Sequence, residues 1–349
     1  MLLPEEHTLP SSDAADVLAG TAYRTIGVLA QGGMGQVLDA EHRALARRVV
    51  VKIVRTDTGV PQGDDRLRLE AQALARLTHP HIVRVLDFGW ARGERPFLVL
   101  ERLWGRTLHD EIRARGALPW QEAVEYTRQA LGALHEAHRA GIVHRDVKLQ
   151  NIMLCEPREP GESRFVKLLD FGIAKVVQEC SAAPAALAVP TEKGLIPGTP
   201  KFFSPEQAMG HAVDARTDVY AMGVVLFHLL TGHGPFPRAK DPVSAALAHA
   251  RETPAPPSAF TKRPVPAALD AAVLRALAKR PEERFATAAD MAAALSSGVL
   301  SPPPRTTREA GEGAGHRELS GRILPAILVL AGAVLCSAAT TLALLWWLR

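Results

Sequence analysis

The chain has 349 residues, enough for one large two-lobed domain or two ordinary ones, because single cores stop growing near ~250–300 residues. Its net charge of +4 and pI near 9.1 are modest, with acids interspersed among basic residues, which excludes nucleic acid as the expected partner and suits an anionic nucleotide or a membrane surface. Cys155, Cys180 and Cys336 are far apart, odd in number and without metal-ligand spacing, so they read as structural thiols of a reducing compartment.

Residues 1–21 contain Glu5, Glu6, Asp13 and Asp16 but no basic cluster or long apolar run, and read as a flexible N-terminal segment rather than a secretory leader. From 23 to 54 the pattern is strand, glycine turn, strand, turn, strand: Ile26, Val28, Val37, Val49, Val50, Val51, Ile53 and Val54 bracket Gln31-Gly32-Gly33-Met34-Gly35. From 65 to 77 the period is helical, with Leu67, Glu70, Leu74 and Leu77 on one face. Glu70 is thus an acid in an apolar stripe, and a buried carboxylate needs a cation opposite it. Lys52, inside Val49-Val50-Val51-Lys52-Ile53-Val54, is the matching misfit in a strand.

Two further strands are expected over 82–88 and 96–101, followed by a turn through 102–105 into helical sequence. A helix over 121–140 carries Val124, Leu131 and Leu134 on one face and stops at Gly141. The segment 217–231 is apolar nearly all round, the mark of a helix buried in a large lobe. Residues 264–297 are helical and Ala-rich, and 300–322, opening on Ser301-Pro302-Pro303-Pro304, reads as a linker. Residues 323–348 carry no charge and end in Trp346-Trp347; the run exceeds the ~20 apolar residues that cross a bilayer and predicts a transmembrane helix. Arg305, Arg308, Arg317 and Arg322 precede it and only Arg349 follows, which predicts that the preceding domain faces the cytoplasm.

The chemistry concentrates in His144-Arg145-Asp146-Val147-Lys148-Leu149-Gln150-Asn151 and Leu169-Asp170-Phe171-Gly172. Asp146 can accept the proton of an attacking hydroxyl, Lys148 can hold a moving phosphate, and Asn151 with Asp170 can bind metal ions that neutralise triphosphate charge. The apolar pairs Ile142-Val143 and Ile152-Met153 predict a loop held between two strands.

With the glycine turn, the strand lysine and the helical glutamate in this order, residues 22–299 resemble the eukaryotic-type (Hanks-type) serine/threonine protein kinases of bacteria. The resemblance implies an α+β, two-lobed protein-kinase fold, with a small antiparallel β lobe carrying one helix and a larger, mainly helical lobe; the transmembrane helix then follows at the C-terminus. It implies a phosphate-binding loop of Gly32, Gly33 and Gly35 with Val37, with Ala30 at the usual first glycine. Lys52 would pair with Glu70 and hold the α- and β-phosphates. Leu29, Val37, Val50 and Leu154 would sandwich adenine, with Leu100 as gatekeeper ahead of a hinge at Glu101 and Leu103.

By the same resemblance Asp146, Lys148 and Lys52 carry catalysis, and Asn151 and Asp170 hold Mg2+, or Mn2+ in its place. Lys148 is the choice of the serine/threonine branch, and Leu149 stands where proline is usual. In the activation segment 170–206, Thr199 would contact Asp146 and Lys148, and Glu206, in Ser204-Pro205-Glu206, would pair with Arg284. Asp218 would brace the catalytic loop, and a phosphate on Thr191, with Ser181 second, would pair with Arg145. The expected activity is transfer from ATP to Ser/Thr of proteins, itself included, by a single-pass protein of the inner membrane. Small residues in Ala331-Gly332-Ala333 suit a homodimer. The alternative is a membrane-tethered pseudokinase, an ATP-binding interaction module, for which Ala30 and Leu149 speak.

Overall fold

Five strands form one antiparallel sheet in the order β1-β2-β3-β5-β4: β1 (Tyr23–Gly32), β2 (Gly35–His42), β3 (Arg47–Val54), β4 (Val85–Ala91) and β5 (Arg95–Glu101). The computed structural model describes residues 17–32, 35–54, 71–92, 95–157, 159, 161–171 and 200–296. Gly33, Glu70, Thr191, Thr199 and the apolar run 323–348 lie outside them. Among the described residues no helix is long and apolar enough to cross a membrane.

Strand β3 shows why the sheet forms. Its side chains alternate, so Val49, Val51 and Ile53 are buried in the small-lobe core with Leu38, Ala40, Phe97 and Val99, while Val50 and Lys52 face the other way. Each fully buried Val, Ile or Phe contributes roughly 1.5–3 kcal/mol over exposure, and the branched residues suit a pleated surface. Strand β1 departs from simple alternation: its register on β2 slips between Val28 and Ala30, so Leu29 lies in a bulge and is 46% exposed. Strand β4 begins at Val85, three residues later than the pattern predicts; Ile82 instead bridges Leu168 in parallel. Of the helix expected over 65–77, residues 71–76 are described and helical, with Ala71, Leu74 and Leu77 buried.

A three-stranded sheet, β6 (Gly105–Thr107), β7 (Ile152–Cys155) and β8 (Phe165–Leu168), begins the larger lobe. Its helices are α1 (Leu108–Arg115), α2 (Trp120–Arg139), α3 (Pro205–Met209), α4 (Ala215–Thr231), α5 (Pro242–Arg251), α6 (Ala267–Ala276) and α7 (Ala288–Ser296). Local chemistry sets their starts: Thr107 caps α1, Asp214 caps α4, and Ser204 and Asp241 form capping boxes with proline at the first turn of α3 and α5. Each such cap is worth ~1 kcal/mol. Helix α4 is buried from Thr217 to Phe227 and again at Leu229 and Leu230; it packs against α2 and α6 as the axis of the core. Gly223 permits that contact, because a Cβ there would meet the Ala276 Cβ at 2.8 Å.

Gly105, at the start of β6, has φ 143°, and a Cβ would lie 2.1 Å from the Leu154 carbonyl oxygen. We expect Gly105→Ala to destabilise the protein by about 2 kcal/mol or more, read as a lower midpoint in urea unfolding.

Candidate active site

Lys52 stands on β3 between Val37 of β2 and Leu98 of β5, on the face opposite the small-lobe core. Its Nζ lies 2.7 Å from Asp170 Oδ1. Together they line a cleft with Leu74, Val85, Leu100 and Phe171. Val37 and Val50 are half-buried, while Leu103 and Leu154 are buried. Glu101 accepts from the Arg84 N–H (2.9 Å) and the Lys167 ammonium (2.7 Å), so the strand before Asp170 is tied to the end of β5.

The segment from His144 to Asn151 lies between α2 and β7. Residues 142–143 form no strand, so the expected two-strand support is replaced on that side. The replacement is Asp218, fully buried in the first turn of α4, which accepts from the backbone N–H of His144 (2.8 Å) and Arg145 (2.9 Å) and from His138 Nε2 (2.8 Å). Arg145 has φ 61°, a left-handed backbone that a non-glycine residue keeps only when its surroundings enforce it. On its other side the Arg145 carbonyl accepts from Gln207 Nε2 at 2.9 Å.

His144 is fully buried, and its contacts fix its tautomer: Nε2 donates to the Leu169 carbonyl (2.8 Å), leaving Nδ1 to accept from the Asp146 N–H (3.3 Å). The ring thus links the loop to the turn that carries Asp170. Asp146 Oδ2 receives Lys148 Nζ at 2.7 Å and Asn151 Nδ2 at 3.0 Å, and the Asp146 carbonyl takes a second bond from Asn151 Nδ2 at 2.9 Å. Because both acceptors face Nδ2, the amide orientation is determined, and Oδ1 is the atom of Asn151 suited to a metal. Asp170, with φ 45° and a side chain 40% exposed, supplies carboxylate oxygens from the end of the β8 segment. Two hard oxygen donors, with phosphates and water completing the shell, fit a small divalent cation.

Glu206 and Arg284 form a buried bidentate pair (2.8 and 2.7 Å), with Thr217 Oγ1 donating to Glu206 at 2.6 Å. Burial pushes the Glu206 carboxyl upward, but the hydrogen bonds from Arg284 and Thr217 outweigh it, so its pKa falls below the ordinary glutamate value. The pair holds α3 on the base of the large lobe.

The structure therefore brings Lys52 to Asp170, Asp146 to Lys148 and Asn151, and Glu206 to Arg284. Ala30 is exposed, and Gly32 faces Gly35 across the turn. Sequence reasoning missed Gln207, His138 and Lys167. Gln207 had a signal, since Ser204-x-x-Gln207 is a capping-box pattern. His138 and Lys167 had none, because their partners are distant in sequence.

Residues 23–294 match the protein kinase domain family. The serine/threonine-protein kinase PknB of Mycobacterium leprae is 41% identical over 290 residues, covering 82% of this chain and 44% of that protein. The serine/threonine-protein kinase pkn3 of Myxococcus xanthus is 39% identical over 306 residues, covering 81% of this chain and 54% of that protein. The chain thus spans about half the length of the curated relatives it matches. A crystal structure of the PknI kinase domain of Mycobacterium tuberculosis shares the fold at TM-score 0.60 and 27% identity, covering 80% of this chain and 98% of that one. The chain belongs to the protein kinase family, with bacterial serine/threonine-protein kinases among its relatives. Membership implies use of ATP and a divalent metal.

Removing one member of the Glu206–Arg284 pair strands a buried charge, so Arg284→Met should cost about 3–5 kcal/mol. Glu206 stabilises the fold when ionised, and that contribution is lost as pH falls below the ordinary glutamate range. Denaturation at a series of pH values should show Glu206→Gln less stable than the parent at neutral pH, with the gap narrowing on acidification.

Proposed function

We propose that this domain transfers the γ-phosphoryl group of ATP to serine and threonine hydroxyls of proteins, itself included, in bacterial signalling. The observation that carries the reading is the cluster in which Lys148 and Asn151 bond one carboxylate oxygen of Asp146 while Lys52 reaches Asp170. Asp146 orients the acceptor hydroxyl and takes its proton. Lys148, held on Asp146 at 2.7 Å, supplies the cation for the moving phosphoryl group in this reading. Lys52 holds the α- and β-phosphates, paired with Glu70 in the assembled state. Bound through Asn151 and Asp170, Mg2+ or Mn2+ supplies neutralisation of the triphosphate charge. Little covalent chemistry falls to the protein, so catalysis is positioning plus electrostatics.

Leu29, Val37, Val50, Leu100 and Leu154 form the adenine site in this reading, with Glu101 and Leu103 at the hinge and Gly32, Gly33 and Gly35 over the phosphates. Thr191 is the proposed regulatory phosphorylation site, and resemblance to the family assigns Thr199 to contacting Asp146 and Lys148. Leu149, at the usual proline position, is 3% exposed and packed in the large-lobe core, so that departure does not favour an inactive module. We assign 22–299 to the kinase domain, 300–322 to a linker and 323–348 to a single transmembrane helix with the kinase on the cytoplasmic side. The uncharged run and the arginines before it support this placement. The small residues of the run support pairing of two copies.

Purified protein incubated with labelled ATP and Mg2+ should label itself, with Thr191 the principal site by mass spectrometry. Asp146→Asn should lower transfer by about 10²–10⁴-fold while still binding ATP. Equal labelling by parent and variant would trace the activity to a contaminant, and a parent that binds ATP without transfer would establish an interaction module instead.

A further inference from the structure

We infer that Gln207 is a positioning residue of the phosphoryl-transfer site, clamping the peptide between Arg145 and Asp146 while Asp218 holds the peptides before it. The inference rests on the kinase reading above for its kinetic consequence, and on geometry alone for the clamp. Arg145 is held in the left-handed region at φ 61°, one residue ahead of the proposed base. Its N–H is fixed by Asp218 Oδ1 at 2.9 Å, and its carbonyl by Gln207 Nε2 at 2.9 Å. Two side chains from different helices therefore hold the two peptide groups that flank the Arg145 Cα. The N–H of the same peptide is held by a long bond to His144 Nδ1 (3.3 Å), so losing the Gln207 bond loosens the carbonyl of residue 145, and the Asp146 side chain moves with it.

Gln207 suits this task because its other end is also held. Its Oε1 accepts from the Ser204 N–H at 3.1 Å, while the Ser204 Oγ accepts from the Gln207 N–H at 3.3 Å, so the side chain is splayed between the start of α3 and the catalytic loop. Ser204 is fully buried, and Glu206, immediately before Gln207, is bonded to Arg284. Helix α3 is thus a rigid mount. Gln207 and Arg145 line a small cleft together with Asp146, Phe202, Thr217 and Asp218. The consequence is a direct mechanical link: wherever the end of the activation segment is seated by Glu206, the orientation of the Asp146 peptide is set one hydrogen bond away.

Gln207→Glu separates the clamp from the cap, since a carboxylate still accepts from the Ser204 N–H but cannot donate to the Arg145 carbonyl. Gln207→Met removes both contacts at similar volume. In full-length protein we expect both variants to lower kcat by about 10–100-fold with KM for ATP unchanged. We also expect faster hydrogen exchange at residues 145–147, with the thermal midpoint of Gln207→Glu close to that of the parent. Parent-like kcat and parent-like exchange in Gln207→Glu would overturn the inference, as would a kcat loss accompanied by an equal fall in thermal midpoint and no change in exchange. The exchange arm needs no catalysis. A parent inactive toward ATP whose 145–147 amides nevertheless lose protection in the variant would sink the kinase reading and sustain the clamp.

Discussion

The buried carboxylate of Asp218 is the interaction on which the site depends. An isolated carboxylate costs several kcal/mol to bury, and it is retained here because three N–H groups converge on it and because it lies in the first turn of α4, where the helix dipole favours negative charge. Those donors come from α2 and from two consecutive residues of the 144–151 loop. One charge therefore ties the loop to the two central helices of the large lobe and holds Arg145 in a backbone conformation it would otherwise leave.

From that anchor the remaining contacts follow in series. His144 bonds Leu169, which places Asp170 beside the loop; Asp170 bonds Lys52, which stands on the sheet of the small lobe. Lys148 and Asn151 meet on Asp146. Glu101 and Lys167 make a second tie between the end of β5 and the strand that delivers Asp170. Neutral bonds of this kind contribute about 1 kcal/mol net and those to charged groups about 1.5–3 kcal/mol. Their effect is geometric: each removes a torsional freedom from a group whose placement decides whether charge is met where it develops.

Much of this was legible in the chain because the chemistry is local. The spacing of Asp146, Lys148 and Asn151, and the lysine misplaced in an apolar strand, are readable without any tertiary knowledge, as was α4 from its unbroken apolar run. What was not legible depends on register or on distant partners. The slip between Val28 and Ala30, which places Leu29 in a bulge where it is 46% exposed, was not legible, because a bulge leaves no pattern in a single strand. Ile142 and Val143 look like a strand, yet the loop there is held by Asp218, more than seventy residues away in sequence. Helix α5 was not anticipated, although Asp241-Pro242 is a helix-start pattern.

The most direct test is the substitution Asp218→Asn, which keeps the shape but replaces a charged acceptor with a neutral one whose NH2 opposes one backbone N–H. The measurement is single-turnover phosphoryl transfer alongside ATP affinity. A fall of about 100-fold in the transfer rate with ATP affinity unchanged is the outcome predicted if this carboxylate positions the base. A transfer rate equal to the parent's would contradict the central claim, and show that the catalytic loop holds its geometry without that charge.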